Sequence, residues 1–185
     1  SSVTGMVKRL AEQGLVAHVP YRGVTLSELG RTEALRVIRR HRILETYLTE
    51  VLGYAWEEVH DEAERLEHAA SDRLIEAMAE ALDDPSHDPH GAPIPTASGT
   101  IARSLFPSLA ETELDVLVEV RSVRDKEADE LRAMEALGLR PGVEVSVVQR
   151  RADGGLAVTV AGDPVPRDVD PEIAALVYVA RVETG

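Results

Sequence analysis

The stretch Val59–Ala69, V-H-D-E-A-E-R-L-E-H-A, decides how the rest of the chain is read. It contains no Gly or Pro and is rich in Glu, Ala, Leu and Arg, so it is predicted to be helical. At about 100° per residue, His60, Glu64, Glu67 and His68 fall at roughly 0°, 40°, −20° and 80°, one stripe of imidazole and carboxylate. Such groups are borderline-to-hard metal ligands. About twenty residues upstream, on a second predicted helix, His41 and Glu45 stand at i, i+4. Each His/Glu pair taken alone also fits a solvated surface couple. Six such groups on two consecutive helices point to a metal site.

Working outward, the ligand stripe sits on a predicted helix from about Trp56 to Leu82. Its apolar side (Val59, Ala63, Leu66, Ala70, Leu74, Ala77, Met78, Ala81) is long enough to suggest packing against a second copy as well as its own chain. Upstream, Ser27 can cap a helix running to about Leu52, with Gly53 ending it. Before it, Val3, Met6, Val7 and Leu10 mark an amphipathic helix at i, i+3, i+4, i+7, stopped by Gly14. Leu15–Pro20 and Val24–Leu26 read as strands around a turn at Tyr21-Arg22-Gly23. Helix, hairpin and helix in that order form the latter part of a winged helix-turn-helix, whose helix enters the major groove while the basic hairpin tip approaches phosphates. Because Ser1 already lies within the helical pattern, the sequence is expected to lack the natural start of its protein.

Downstream, Asp83–Pro95 cannot be helical, since proline removes donors and restricts the residue before it. His87 and His90 lie there, as plain loop residues or minor ligands, and the plain loop is the favoured expectation. Thr96–Leu114 reads as a connection of mixed character. From Asp115 the pattern changes: Val116–Val123, Val143–Val148, Leu156–Val160 and Leu176–Val182 are predicted strands, Lys126–Leu137 a helix, and Asp153-Gly154-Gly155 a hairpin turn. Short strands around one helix suggest a small barrel. Glu127 and Glu130 fall in that helix's first turn, where the helix dipole alone would favour them.

Composition narrows the class. Aromatics make up only 3 % of the 185 residues, so the core must be aliphatic. Without cysteine there are no disulfides or thiolate sites, which suits a reducing, cytoplasmic setting. No run reaches the length of a membrane span. The net charge of −13 is divided unevenly: residues 1–42 hold eight basic and three acidic side chains (+5), the remainder 12 and 30 (−18). That asymmetry fits a polyanion-binding head on an acidic body, or equally a few solvated helical faces.

Taken together, S-S-V-T-x-M-V-x-x-L from Ser1, Y-R-G-V-x-L-S-x-x-G from Tyr21, H-R-x-L-E from His41, H-D-E-A-x-R-x-E-H from His60, P-H-G-x-P-I-P from Pro89 and G-L-R-P-G-V-E-V from Gly138 resemble the diphtheria toxin repressor family of metal-dependent transcription regulators, and among them the manganese transport regulators. The resemblance covers nearly the whole chain. It implies a mainly α protein with a small β domain: a truncated winged helix-turn-helix (1–35), a helical metal-binding and dimerisation domain (36–100), a linker (101–114) and an SH3-like barrel (115–185). It also implies a primary metal site from Glu64, Glu67 and His68, and an ancillary site from His41, Glu45 and His60 completed by Glu127 and Glu130. Ser1, Ser2, Thr4, Gly5 and Lys8 fall on the DNA-facing helix and Arg22 on the wing. The first-helix ligand of the primary site, a methionine or an aspartate in the family, lies upstream of this sequence, as do the first two helices of the winged motif.

The expected function is repression of metal-homeostasis genes by a homodimer on double-stranded operator DNA, with no membrane and no small-molecule substrate. Iron-responsive members carry cysteine where Glu64 stands. A hard carboxylate in place of a soft thiolate favours Mn²⁺, with Fe²⁺ second; Zn²⁺, Co²⁺, Ni²⁺ or Cd²⁺ are expected substitutes in vitro. In the expected mechanism, carboxylates repel one another until a cation joins them and fixes the spacing of two reading helices. A carboxylate-bridged metalloenzyme is the enzymatic rival, but Glu-x-x-His occurs once, at Glu57 and His60, because Arg65 stands three before His68. No enzyme is expected. A metal-binding module without DNA is the other alternative.

Overall fold

The computed structural model describes residues 3–19, 23–103, 105–124 and 127–182. The amphipathic repeat at the start forms α1 (Val3–Glu12), and Gly14, at φ 72°, turns the chain into the hairpin β1 (Val16–Val19) and β2 (Gly23–Leu26). The hairpin is antiparallel, with Val16 opposite Leu26 and Val19 opposite Gly23. Pro20, Tyr21 and Arg22, with Ser1 and Ser2, lie outside the described residues.

Ser27 caps α2 (Glu28–Glu50) by accepting the Gly30 N–H at 2.9 Å. This cap also fastens the helix to the head: Ser27 Oγ donates to the Gly14 carbonyl at 2.6 Å, and the Ser27 N–H donates to that of Leu15 at 3.0 Å. Gly30 lies so close that a Cβ there would stand 1.9 Å from the Leu15 carbonyl oxygen.

The single helix expected over Trp56–Leu82 is two, α3 (Val59–Glu67) and α4 (Asp72–Ala81). Ser71 is the reason. Its hydroxyl accepts the Leu74 N–H and starts a new helix, which favours it over continuing the old one. The restart changes the phase of the apolar side. Ile75 and Ala79 are buried against Ile43, Leu44, Leu48, Val59, Ala63 and Ile94, whereas Leu74, expected on that side, is 46 % exposed.

After Ile94 the chain reaches a five-stranded antiparallel sheet of order β6-β5-β4-β3-β7: β3 (Leu117–Val123), β4 (Glu144–Arg150), β5 (Leu156–Val160), β6 (Asp163–Val169) and β7 (Val177–Arg181). Register shifts between Val120 and Ser122, Val147 and Gln149, and Val158 and Val160 mark bulges, which bend and twist a sheet. Helix α5 (Ala128–Leu137), ended by Gly138 in the left-handed region, and the short α6 (Pro171–Ala174) complete the barrel. Strand β6 escaped the sequence pattern because Pro164 and Pro166 interrupt it. Prolines are tolerated there because β6 is an edge. The barrel core is aliphatic apart from one ring, Trp56, which comes from before α3. Leu109, in a short 3₁₀ turn, is fully buried in that same core. Among the described residues no helix is long and apolar enough to cross a membrane.

Candidate metal centre

Helices α2 and α3 lie side by side, and their facing surfaces carry the expected groups. His41 and Glu45 meet through their i, i+4 spacing: His41 Nε2 is 2.9 Å from Glu45 Oε1. His60, in the first turn of α3, places Nδ1 2.9 Å from the same oxygen and 3.1 Å from His41 Nε2. The two rings meet edge to face at 4.8 Å. Glu67, at the last turn of α3, puts Oε2 2.9 Å from His41 Nδ1. Among the described residues, the group whose ligand atoms converge is His41, Glu45 and His60, within 4.8 Å of one another.

Glu45 is fully buried, and its second oxygen has no hydrogen-bond partner among the described residues. A buried, half-satisfied carboxylate is costly unless a cation faces it. His41 fills that part. Burial works against its charge, but hydrogen bonds and charge from Glu45, then Glu67, outweigh it and raise its pKa to about 9. Burial likewise works against the Glu45 anion, yet hydrogen bonds from His41 and His60 hold its pKa at about 2. With two imidazoles and one buried carboxylate converging, one carboxylate oxygen free, the donor set fits a borderline-to-hard divalent cation.

The other stripe members are close but differently placed. Glu64 is exposed and lines, with Val37, Ile38, His41, Arg42, His60 and Glu67, a cavity of about 320 Å³. His68 is the residue that ends α3; its ring is 83 % exposed, with Nε2 3.5 Å from Glu67 Oε1. Glu67 therefore stands between the two groups, one oxygen towards His41 and the other towards His68. Glu127, at the start of α5, is exposed and makes no capping bond, and Glu130 is half-buried. Neither joins the converging group. Thr4, Gly5 and Lys8 lie on exposed positions of α1, with Lys8 Nζ 3.9 Å from Glu12; Arg9 is exposed beside them.

A second buried cluster was not singled out from sequence. Asp88 accepts the N–H groups of His90 and Ala92 with one oxygen, and its other oxygen is 3.2 Å from Arg42 Nε. Burial, then the charge of Glu45, pushes the Asp88 pKa up to about 6. His90, expected as a plain loop residue, is on a loop but fully buried. Its Nε2 donates to the Trp56 carbonyl at 2.8 Å. Proline-punctuated P-H-G-A-P-I-P was the available signal.

A family model described as the iron dependent repressor metal binding and dimerisation domain matches residues 27–96, and a FeoA domain model matches 108–181. The diphtheria toxin repressor of Corynebacterium glutamicum is 30 % identical over 193 residues, covering 98 % of this chain and 82 % of that protein. The chain belongs to the diphtheria toxin repressor family. Another relative, the iron-dependent repressor IdeR of Mycobacterium tuberculosis, is 31 % identical over 176 residues, covering 87 % of this chain and 75 % of its own. A solved manganese-dependent transcriptional repressor in complex with manganese superposes with a TM-score of 0.88 at 37 % identity, covering 97 % of this chain and 83 % of that one. The family's members named here are metal-dependent repressors, and its architecture of helical body and SH3-like FeoA domain is the one described above.

Proposed function

We propose that this chain represses transcription in response to a divalent metal, with Mn²⁺ as corepressor and Fe²⁺ as the second choice. One observation carries the reading: His41 and His60, from two helices, converge on the buried Glu45 carboxylate, which retains a free oxygen, while Glu67 holds the other nitrogen of His41. The manganese-bound repressor among the similar structures and the carboxylate Glu64, where iron-type members carry cysteine, support Mn²⁺ over Fe²⁺. A bound cation would supply positive charge shared among these ligands. Glu64, Glu67 and His68 would hold the regulatory ion, and His41, Glu45 and His60 the ancillary one, with Glu127 and Glu130 as its further ligands.

The rest of the reading follows from what α2 joins. Its Ser27 cap is bonded to Gly14 and Leu15 beside the α1–β1 head, and His41 and Glu45 lie in its second half. A change in how α3 sits on α2 is thereby transmitted to α1, whose exposed Thr4, Gly5 and Lys8 face operator DNA, with Ser1, Ser2 and Arg22 nearby in the sequence. Two such heads in a homodimer read half-sites about one duplex turn apart. The exposed side of α4 around Leu74 suits the contact between copies. Residues 1–35 serve as the DNA-binding part, 36–100 as the metal-binding and dimerisation part, 101–114 as a linker and 115–185 as the SH3-like part. In this reading the protein is a regulator, not an enzyme, and works in the cytoplasm.

The test is a gel shift of the intact protein on its own promoter region. Retardation should require Mn²⁺ and vanish with a chelator. Metal-independent retardation refutes the corepressor mechanism, and metal binding with no retardation at any salt favours a metal-binding module instead.

A further inference from the structure

Trp56 fastens the barrel to the helical body. Trp56, the chain's single tryptophan, is 3 % exposed and belongs to the apolar cluster of Leu109, Val120, Val147 and Val179, not to the helical core. Its ring stacks on His90, centroids 5.2 Å apart at 29°, and the Arg140 guanidinium lies 5.0 Å from the ring centroid. The same joint is closed by backbone. The His90 carbonyl accepts the Val123 N–H of β3 at 2.8 Å, and Gly91, at φ 82°, lies where a Cβ would stand 2.1 Å from the Arg121 carbonyl oxygen.

Three residues after Trp56, Val59 is fully buried in the helical core, and His60 follows directly. The segment is thus anchored in two cores, by Trp56 four residues before His60 and by Val59 directly before it. We infer that Trp56 and Arg140 are positioning residues for the metal centre: by holding Trp56, the barrel fixes the start of α3 and keeps His60 in register with His41 and Glu45. This role rests on the metal reading above and is separate from Glu127 and Glu130, since it acts through the backbone of residues 56–60 and needs no ligand from the barrel. Arg140 also pairs with Glu135 at the surface, so its contribution through the ring can be separated from its contribution through charge.

The experiment is calorimetric titration of Mn²⁺ into the wild-type chain, Trp56→Phe, Arg140→Met and, as a control, Glu135→Gln, with thermal melts of each in the presence and absence of Mn²⁺. Trp56→Phe and Arg140→Met should bind Mn²⁺ roughly tenfold more weakly, the size usual for groups that orient ligands. The rise in melting temperature that Mn²⁺ produces should shrink accordingly, and Glu135→Gln should match wild type. Arg140 is half exposed, so its variant folds and decides the matter even if Trp56→Phe does not. Wild-type affinity in Arg140→Met overturns the inference. Failure of the wild-type chain itself to bind Mn²⁺ overturns the metal reading on which it stands.

Discussion

Gly30→Ala isolates the route from metal centre to DNA, because the residue touches neither. The added Cβ would stand 1.9 Å from the Leu15 carbonyl oxygen and 2.8 Å from its carbon, where side-chain carbons essentially never come within 3.0 Å. The α1–β1 turn must therefore withdraw from α2 by about 1 Å, the difference between those distances. That movement strains the Ser27-to-Leu15 and Ser27-to-Gly14 hydrogen bonds, now 3.0 and 2.6 Å long. Losing both costs about 2 kcal/mol at about 1 kcal/mol each. Replacing a helical glycine returns about 1 kcal/mol, so the helical body should melt within a few degrees of wild type. Operator binding by the proposed dimer should weaken by at least about tenfold, equivalent to about 1.4 kcal/mol. Fluorescence anisotropy on a labelled promoter fragment at saturating Mn²⁺ measures this, with Mn²⁺ affinity measured alongside. Unchanged operator affinity would refute the argument that α2 rigidly carries the head. A parallel loss of Mn²⁺ affinity would refute the separation of the two sites.

Four further outcomes are expected. His41, raised to about 9, is protonated at neutral pH in the metal-free fold, so binding of a cation to His41 must release a proton. Mn²⁺ affinity should rise with pH up to about 9, and calorimetry in buffers of different ionisation enthalpy should show proton release; pH-independent affinity excludes His41 as a ligand. The same raised value stabilises the metal-free fold fully below about pH 6.5 and is lost as pH climbs through about 9, so metal-free melting temperatures should decline over that window. Leu109→Ala, which empties a fully buried position in the barrel core, should cost about 2–5 kcal/mol, read by denaturant unfolding of the C-terminal part; a cost below about 1 kcal/mol would show that Leu109 is not integral to that core. Glu64→Cys should move metal preference from Mn²⁺ towards Fe²⁺, Co²⁺ or Zn²⁺ in competition titrations, and an unmoved preference removes the hard-ligand argument for manganese.

Periodicity made the helices and the main strands legible, and local chemistry sharpened their ends where it was unambiguous, as at Ser27 and Gly14. It misled where two signals competed. Ala69 and Ala70 are strong helix formers, so the Ser71 cap behind them read as mid-helix, and the change of phase that buries Ile75 instead of Leu74 was invisible. Prolines hid β6 for the opposite reason: they forbid a central strand but not an edge. Within the site, the i, i+4 spacing of His41 and Glu45 and the stripe on α3 follow from helix geometry alone. The burial of Asp88, His90 and Trp56 does not. Each is buried by a segment more than thirty residues away or by the barrel, and no local pattern encodes such a meeting.

The structure also changes where a metal-driven switch must act. Repulsion among carboxylates was expected to keep the metal-free centre apart, yet Glu45 and Glu67 are already bridged by the two nitrogens of one His41 imidazolium. A cation arriving there exchanges with a proton in a closed arrangement, and a ligand that finds both conformations equally well formed shifts nothing between them. Glu64 and His68 differ: both are exposed, and His68 lies towards Glu67 of its own helix. If the proposed regulatory site forms there, a bound ion would create contacts at that end that its absence removes. Glu67 belongs to both ends, one oxygen on the closed group and the other towards His68, so ordering the exposed end pulls on the helix that the closed end holds against α2. In the proposed mechanism the buried groups would thus set the stiffness of the joint, and the exposed ones its response.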